Sequence, residues 1–377
     1  METPKPKFRP IILDRTRLEQ AATCPLQCYL SVIFDALKAK ETGYEVHDWE
    51  QKILDSAPPE LIERMTKVAK QSTMGRLAEC GIEIHKLIDR ALEECANDLQ
   101  IVPGWFVDNL PTIKPNISAM AERHARHVAD MMADYHVSII GSEMQISMVI
   151  IDETETTPAI IGTTCIDLLG SGKGNLHVAD WKTGFKRRSN SETLDSFQAR
   201  FICLLLFCQP EYAEVHTIHF WYYETMFGTK SYARFDRNEE HPRLPGLSTE
   251  VALKGQAKEA ALVFQSGCKD AWPMPESCDW CDVIRFCPYA SMDVKEIADN
   301  PKDYVDRLIV LQALCTRMKK AATGYCKGHG PIVGTKSTYA MKQPSNKFTC
   351  GIESNEKPLG PVETGNSDLD SHFSEKY

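Results

Sequence analysis

No apolar run in this chain approaches the length of a membrane span. The longest, Phe201 to Cys208, holds eight residues and then meets Gln209-Pro210, against about 20 for a spanning helix. The first ten residues are rich in Pro and Lys and lack the apolar stretch of a secretory signal. The sequence therefore reads as an intracellular, cytoplasmic chain with no membrane partner. Positive charge is also scarce: 43 Lys and Arg stand against 52 Asp and Glu, a net charge of −9. That excludes adhesion to polyanions through overall charge, but not a local basic groove beside a carboxylate site. Internal repeats are lacking too, which argues against a solenoid.

What is present is ordinary in bulk and unusual in detail. Apolar residues make up 43% and charged residues 25% of 377, enough for a sizeable core in two domains or in one large domain with insertions. Cysteine is abundant, at 14. In a reducing compartment, metal binding or buried thiols outrank disulfides.

The periodicity predicts helices first and strands second. Residues 1–15 read as an extended N-terminus. A short helix over 16–23, capped by Thr16, stops before Pro25. Helical spacing over 60–97 predicts two helices with a break near Ser72 to Gly75. Three prolines make 100–116 a loop, and 117–136 is helical again. Residues 143–151 and 158–169 form a hairpin, Leu176 to Trp181 a third strand, 193–207 a helix and Glu214 to Tyr223 a fourth strand. A helix over 247–266 precedes the cysteine cluster. Beyond it lie a charged helix from Pro301 to Tyr325, a small hairpin from Gly328 to Thr349, and a disordered tail over 351–377.

The densest chemistry lies on two adjoining strands. Asp167 stands in Gly162-Thr-Thr-Cys-Ile-Asp167, and Asp180-Trp181-Lys182-Thr183-Gly184 ends the next strand. Two carboxylates at neighbouring strand ends can share a hard divalent cation. Strand alternation points Lys182 to the same face as Asp180, where an ammonium can orient a water or stabilise charge on a phosphate. The run Lys186-Arg187-Arg188 follows directly and offers phosphate contacts.

These residues, taken in order, resemble the PD-(D/E)XK nuclease superfamily, in its RecB-like branch. Gly81-Ile-Glu-Ile-His85 resembles the branch's Gly-x-x-x-His helix, and Glu143 stands where a core glutamate opens the first strand. Gly162 to Asp167 resembles the Gly-x-x-Asp strand with a longer gap. Asp180-x-Lys182-Thr-Gly resembles the next strand end. Gln198 matches the glutamine of Gln-x-x-x-Tyr, although Ile202 replaces the tyrosine. The resemblance covers roughly 16–30 and 81–290. It implies an α/β, restriction-endonuclease-like core: a mixed central sheet flanked by helices, with a helical N-terminal insertion (60–136) and a Cys-cluster C-terminal segment. It implies His85, Asp167, Asp180 and the Trp181 carbonyl as Mg²⁺ or Mn²⁺ ligands, with Glu143 a further candidate. Lys182 would be the catalytic lysine and Gln198 a positioning group. The nuclease domain would run over 16–290, followed by a C-terminal helix and hairpin over 291–350.

Cys278-x₂-Cys281-x₅-Cys287-Pro288 places three cysteines within ten residues. Thiolate sites take four ligands, and spacing alone admits zinc or an iron–sulfur cubane. Cys24, in Thr23-Cys24-Pro25, is the fourth candidate. The bracketing of the core by these cysteines is similar to that in the branch's iron–sulfur members, the AddB nuclease domain and the CRISPR-associated exonucleases. It implies a 4Fe–4S cluster over 278–288 with Cys24. Trp272 and Trp280 flank the cluster as shields or base-stacking platforms. The implied activity is a DNA exonuclease of recombination, repair or mobile-element processing. It would act on single-stranded or end-containing DNA, with a recombination or replication protein, or a second copy, as partner. The alternative is a non-cutting DNA- or partner-binding module stabilised by a Cys₄ metal site.

Overall fold

A computed structural model of the chain describes residues 8–70, 76–109, 115–184, 187–273, 275–278, 281–290, 301–329, 332–333, 337–342 and 349–354. The chain divides into two compact units, Met1–Trp272 and Pro273–Tyr377. The break expected near Ser72 to Gly75, Lys186, Trp280 and the tail beyond 354 lie outside the described residues.

The N-terminal unit opens with strand β1 (Ile11–Asp14) and helices α1 (Arg15–Thr23), α2 (Pro25–Thr42), α3 (Asp48–Asp55) and α4 (Pro59–Ala69). Within the stretch expected to be extended, Ile11 to Asp14 pair in parallel with Ile160 to Thr163. Asp14, not Thr16, caps α1, accepting the Arg17 N–H at 2.8 Å. Pro25 ends α1 and also opens α2, because the first turn of a helix has no use for the missing N–H.

Helices α5 (Arg76–Glu94), α6 (Val102–Asn109) and α7 (Pro115–Tyr135) follow. The loop expected over 100–116 is corrected by α6, where Pro103 sits in the first turn and Val102 and Phe106 are buried. The strands are β2 (Ser138–Ile151), β3 (Ile160–Gly172) and β4 (Asn175–Lys182). β2 starts five residues before the expected 143, so Glu143 lies inside the strand rather than at its opening.

Helices α8 (Asn190–Asp195) and α9 (Phe197–Phe207) split the single helix expected over 193–207, with extended Ser196 between them. Strands β5 (Thr217–Glu224), β6 (Thr229–Asp236), β7 (Glu240–His241) and β8 (Leu244–Ser248) precede α10 (Thr249–Gln265).

A six-stranded mixed sheet runs β1-β3-β4-β5-β6, with β2 on β3. β2 occupies one edge of β3 along its length. β1 and β4 share the other edge, at Ile160–Thr163 and Leu168–Gly172. Helices cover both faces. On one, α1, α2, α9 and α10 pack over Leu176, Val178, Ile218 and Phe220. On the other, α5, α6 and α7 pack over Ala179, Trp181, Trp221 and Tyr223. Each fully buried Leu of α9, such as Leu204 or Leu205, contributes about 2 kcal/mol by the area it removes from water. This is the α/β, helix-flanked mixed sheet that the sequence implies.

The register also makes a gap. β3 and β4 pair from Gly172↔Asn175 to Leu168↔Ala179 and then part, while β4 continues with β5 through Lys182↔Glu224. Asp167 and Asp180 stand at the point of parting. Within the C-terminal unit, α11 (Pro275–Cys278) and α12 (Pro301–His329) precede strands β9 (Ile332–Val333), β10 (Ser337–Lys342) and β11 (Thr349–Ser354). β11 carries Gly351–Ser354 into a sheet, which corrects the disorder expected from 351.

Candidate active site

The site assembles where β3 and β4 part. The Trp181 N–H, released from the β3 ladder, donates to Asp167 Oδ2 at 2.8 Å. Trp181 itself points away into the core, 2% exposed, and its ring meets His124 edge-on at 4.3 Å. That burial anchors the strand end, so that Asp180 and Lys182 share the opposite face.

His85 reaches the gap from α5. Its Nε2 lies 3.3 Å from the Trp181 carbonyl, and its Nδ1 lies 3.3 Å from Glu143 and 3.7 Å from Asp167. Gly81, one turn earlier, makes this approach possible: a Cβ there would meet Thr183 Oγ1 at 3.0 Å. Glu143 enters from β2 with φ +47°, a left-handed backbone that costs a non-glycine residue about 1–2 kcal/mol. From this position the Glu143 carboxylate meets both His85 and Cys165. Donor atoms of His85, Glu143 and Asp167 all lie within 4.8 Å of one another.

Asp180 stands apart from that trio. Lys182 Nζ is 2.5 Å from its Oδ1, and Gln198 Nε2 donates to its Oδ2. Lys182 also donates to Gln198 Oε1 at 3.0 Å. Gln198 therefore bridges the lysine and the aspartate from α9. Ile202, at the missing tyrosine's position, is buried in the core.

The titratable groups of this cluster shift one another. Burial, followed by the nearby Asp180 carboxylate, pushes Asp167 up to about 7. Burial works against a charged His85, yet Glu143, Asp167 and Asp180 together raise it. The His85 hydrogen bond holds Glu143 below its ordinary value. Burial and the Glu143 charge push the Cys165 thiol up to about 12, and it donates to Glu143 at 3.4 Å.

Of the basic run, the two described residues face different rings. Arg187 lies over the Phe227 ring at 4.5 Å and Arg188 over Tyr222 at 4.7 Å. Sequence reasoning missed Cys165, Arg15 and Tyr222. The register Asp180↔Tyr222 puts Tyr222 beside the site, and only strand pairing reveals that. In the C-terminal unit, Cys278, Cys281 and Cys287 pack against Ile284, Val310 and Ala313. In the N-terminal unit, Cys24 Sγ accepts the Trp272 N–H at 3.5 Å, and Trp272 is exposed. No helix among the described residues is long and apolar enough to cross a membrane.

Comparison with known proteins bears on this arrangement. The family model of the PD-(D/E)XK nuclease superfamily matches residues 15–288. No curated protein matches the sequence significantly. Among solved structures, the crystal structure of SSO0001 is similar at 12% identity, over 57% of this chain and 98% of that one, with a TM-score of 0.26. A likeness that loose carries no argument about fold or chemistry.

Proposed function

Because the chain belongs to the PD-(D/E)XK nuclease superfamily, we propose that it is a metal-dependent DNA exonuclease of the RecB-like branch. The observation that carries this reading is the convergence of His85, Glu143 and Asp167 within 4.8 Å, beside the Asp180–Lys182–Gln198 chain. The donors suit Mg²⁺ or Mn²⁺, being hard oxygens with one imidazole. The raised Asp167 carboxyl supports the fit, since a cation offsets both its burial and its repulsion by Asp180.

His85, Asp167, Asp180 and the Trp181 carbonyl, with Glu143, would hold the cation. Bound there, it supplies Lewis-acid polarisation of the phosphoryl oxygen. Lys182 orients the attacking water and neutralises charge that develops on the scissile phosphate. Gln198 fixes the lysine against Asp180, which keeps the ammonium in one position. Arg187, Arg188 and Lys186 contact the DNA backbone. The substrate would be single-stranded or end-containing DNA in recombination, repair or mobile-element processing.

We further assign Cys24, Cys278, Cys281 and Cys287 to a 4Fe–4S cluster. An all-thiolate donor set suits it, and zinc is the other metal such a set accepts. Arg317 supports the cysteine segment by donating to the carbonyls of Cys278, at 2.9 Å, and Cys281. Protein purified without oxygen should be brown and contain iron and sulfide. Colourless protein with stoichiometric zinc would replace the cluster by a zinc site.

The activity is tested on end-labelled single- and double-stranded DNA with Mn²⁺ or Mg²⁺. Wild type should release short products from an end, and Asp180→Ala should lose this by about 10³-fold or more. Products cut internally would make the enzyme an endonuclease.

A further inference from the structure

Beside the carboxylates, α1, β4, β5 and the α8–α9 junction enclose a cleft of about 340 Å³. Arg15, Lys182 and Arg188 line it as cations, facing Glu19 and Glu192. Both acids are engaged. Arg15 pairs with Glu19 at 2.6 Å, and Glu192 closes the cap of α8 by accepting the Ser189 N–H at 2.8 Å. Arg188 is held at three points. Its backbone N–H donates to buried Glu224 at 2.5 Å, and its guanidinium stacks over Tyr222 at 4.7 Å. The guanidinium also lies 3.9 Å from Glu224 Oε1. Lys182 Nζ lies 5.2 Å from the same ring. The Tyr222 hydroxyl is held by Ser196 Oγ at 2.6 Å. Ser196 thereby spends its side chain on Tyr222 and leaves the start of α9 without a side-chain cap. An uncapped helix start favours an anion.

We propose that this cleft binds a phosphate group of the DNA strand next to the scissile bond, gripped by Arg15 and Arg188 with Tyr222 as the platform that positions Arg188. The proposal rests on the nuclease reading and deepens it. A planar guanidinium suits phosphate because its donors form a fork. The phosphate is either the terminal one of a strand end or an internal diester, and both have the chemistry the cleft offers.

The test is fluorescence anisotropy of labelled oligothymidylates carrying a 5′-phosphate, a 3′-phosphate or hydroxyl ends, in EDTA so that nothing is cut. Arg15→Gln and Arg188→Gln should each weaken binding about tenfold and lower the slope of log affinity against log salt by about one. Arg15→Lys and Arg188→Lys should regain part of the affinity, which a folding defect would not allow. A loss confined to one end-phosphorylated probe assigns a terminal phosphate, and equal losses assign an internal one. Wild-type affinity and slope in both glutamine variants would overturn the proposal, as would a wild type that binds no probe. Cleavage is read separately on wild type with Mn²⁺. If it fails while the arginine variants lose binding, the nuclease reading falls and the cleft stands. If wild type cuts and the variants bind normally, the cleft falls alone.

Discussion

Glu143 holds the most strained position of the site, with φ +47° opposite Asp167 on the neighbouring strand. Glycine adopts that backbone freely, and alanine does not. Glu143→Gly should therefore be more stable than Glu143→Ala by about 1 kcal/mol in urea denaturation, while both lose metal-supported activity. Equal stabilities would remove the strain argument. Asp167 carries the pH dependence. Its folded value near 7 lies above its ordinary 3.8. Its contribution to the metal-free fold is thus fully present below 3.8 and is lost as pH rises through about 7. A cation competes with that proton, so Mn²⁺ affinity should rise with pH across neutrality and binding should release protons. Calorimetry in buffers of different ionisation enthalpy measures this, and a pH-independent affinity would contradict it. The individual residues stand out in the sequence by their types and order, and the fold brings Asp167, Asp180, Lys182, His85 and Gln198 close together. The reversed φ of Glu143 has no sign in the sequence, where it reads as an ordinary strand position.

At the scale of elements, α5 depends on one small residue. Gly81 sits against Thr183, where a Cβ would stand 3.0 Å from its hydroxyl oxygen. Gly81→Val should push α5 outward, draw His85 from the Trp181 carbonyl and weaken Mn²⁺ binding about tenfold or more with the sheet intact. Far-UV circular dichroism beside a metal titration reads both effects, and unchanged affinity would show that the close approach is dispensable. Strands β3 and β4 were legible through their apolar character. Helix α2 was not. Its buried Leu26, Leu30, Val32, Ile33 and Leu37 leave no clear polar stripe, and Pro25 reads equally as a stop or a start. Helix α6 was hidden by Pro103 and by Pro111 and Pro115 beyond its end. The α8–α9 break was hidden because a lone Ser between Asp195 and Phe197 gives little warning of an extended residue.

At the scale of the whole molecule, a chain of net charge −9 concentrates basic groups where the sheet opens. Composition could not show this, because Arg15 and Arg188 are distant in sequence and meet only through the fold. The family match crosses from the N-terminal unit to Pro288, beyond the division at Trp272, so the cysteine segment belongs to the family region although it packs in the C-terminal unit. The central claim is that the carboxylate gap cuts DNA through a cation and Lys182. The measurement that tests it most directly is cleavage of end-labelled DNA by wild type and Lys182→Ala, each with Mn²⁺ and again with EDTA. The account predicts cutting by wild type with Mn²⁺ alone, and about 10²-fold or greater loss in Lys182→Ala. Equal cutting by both proteins, or cutting that persists in EDTA, would contradict it.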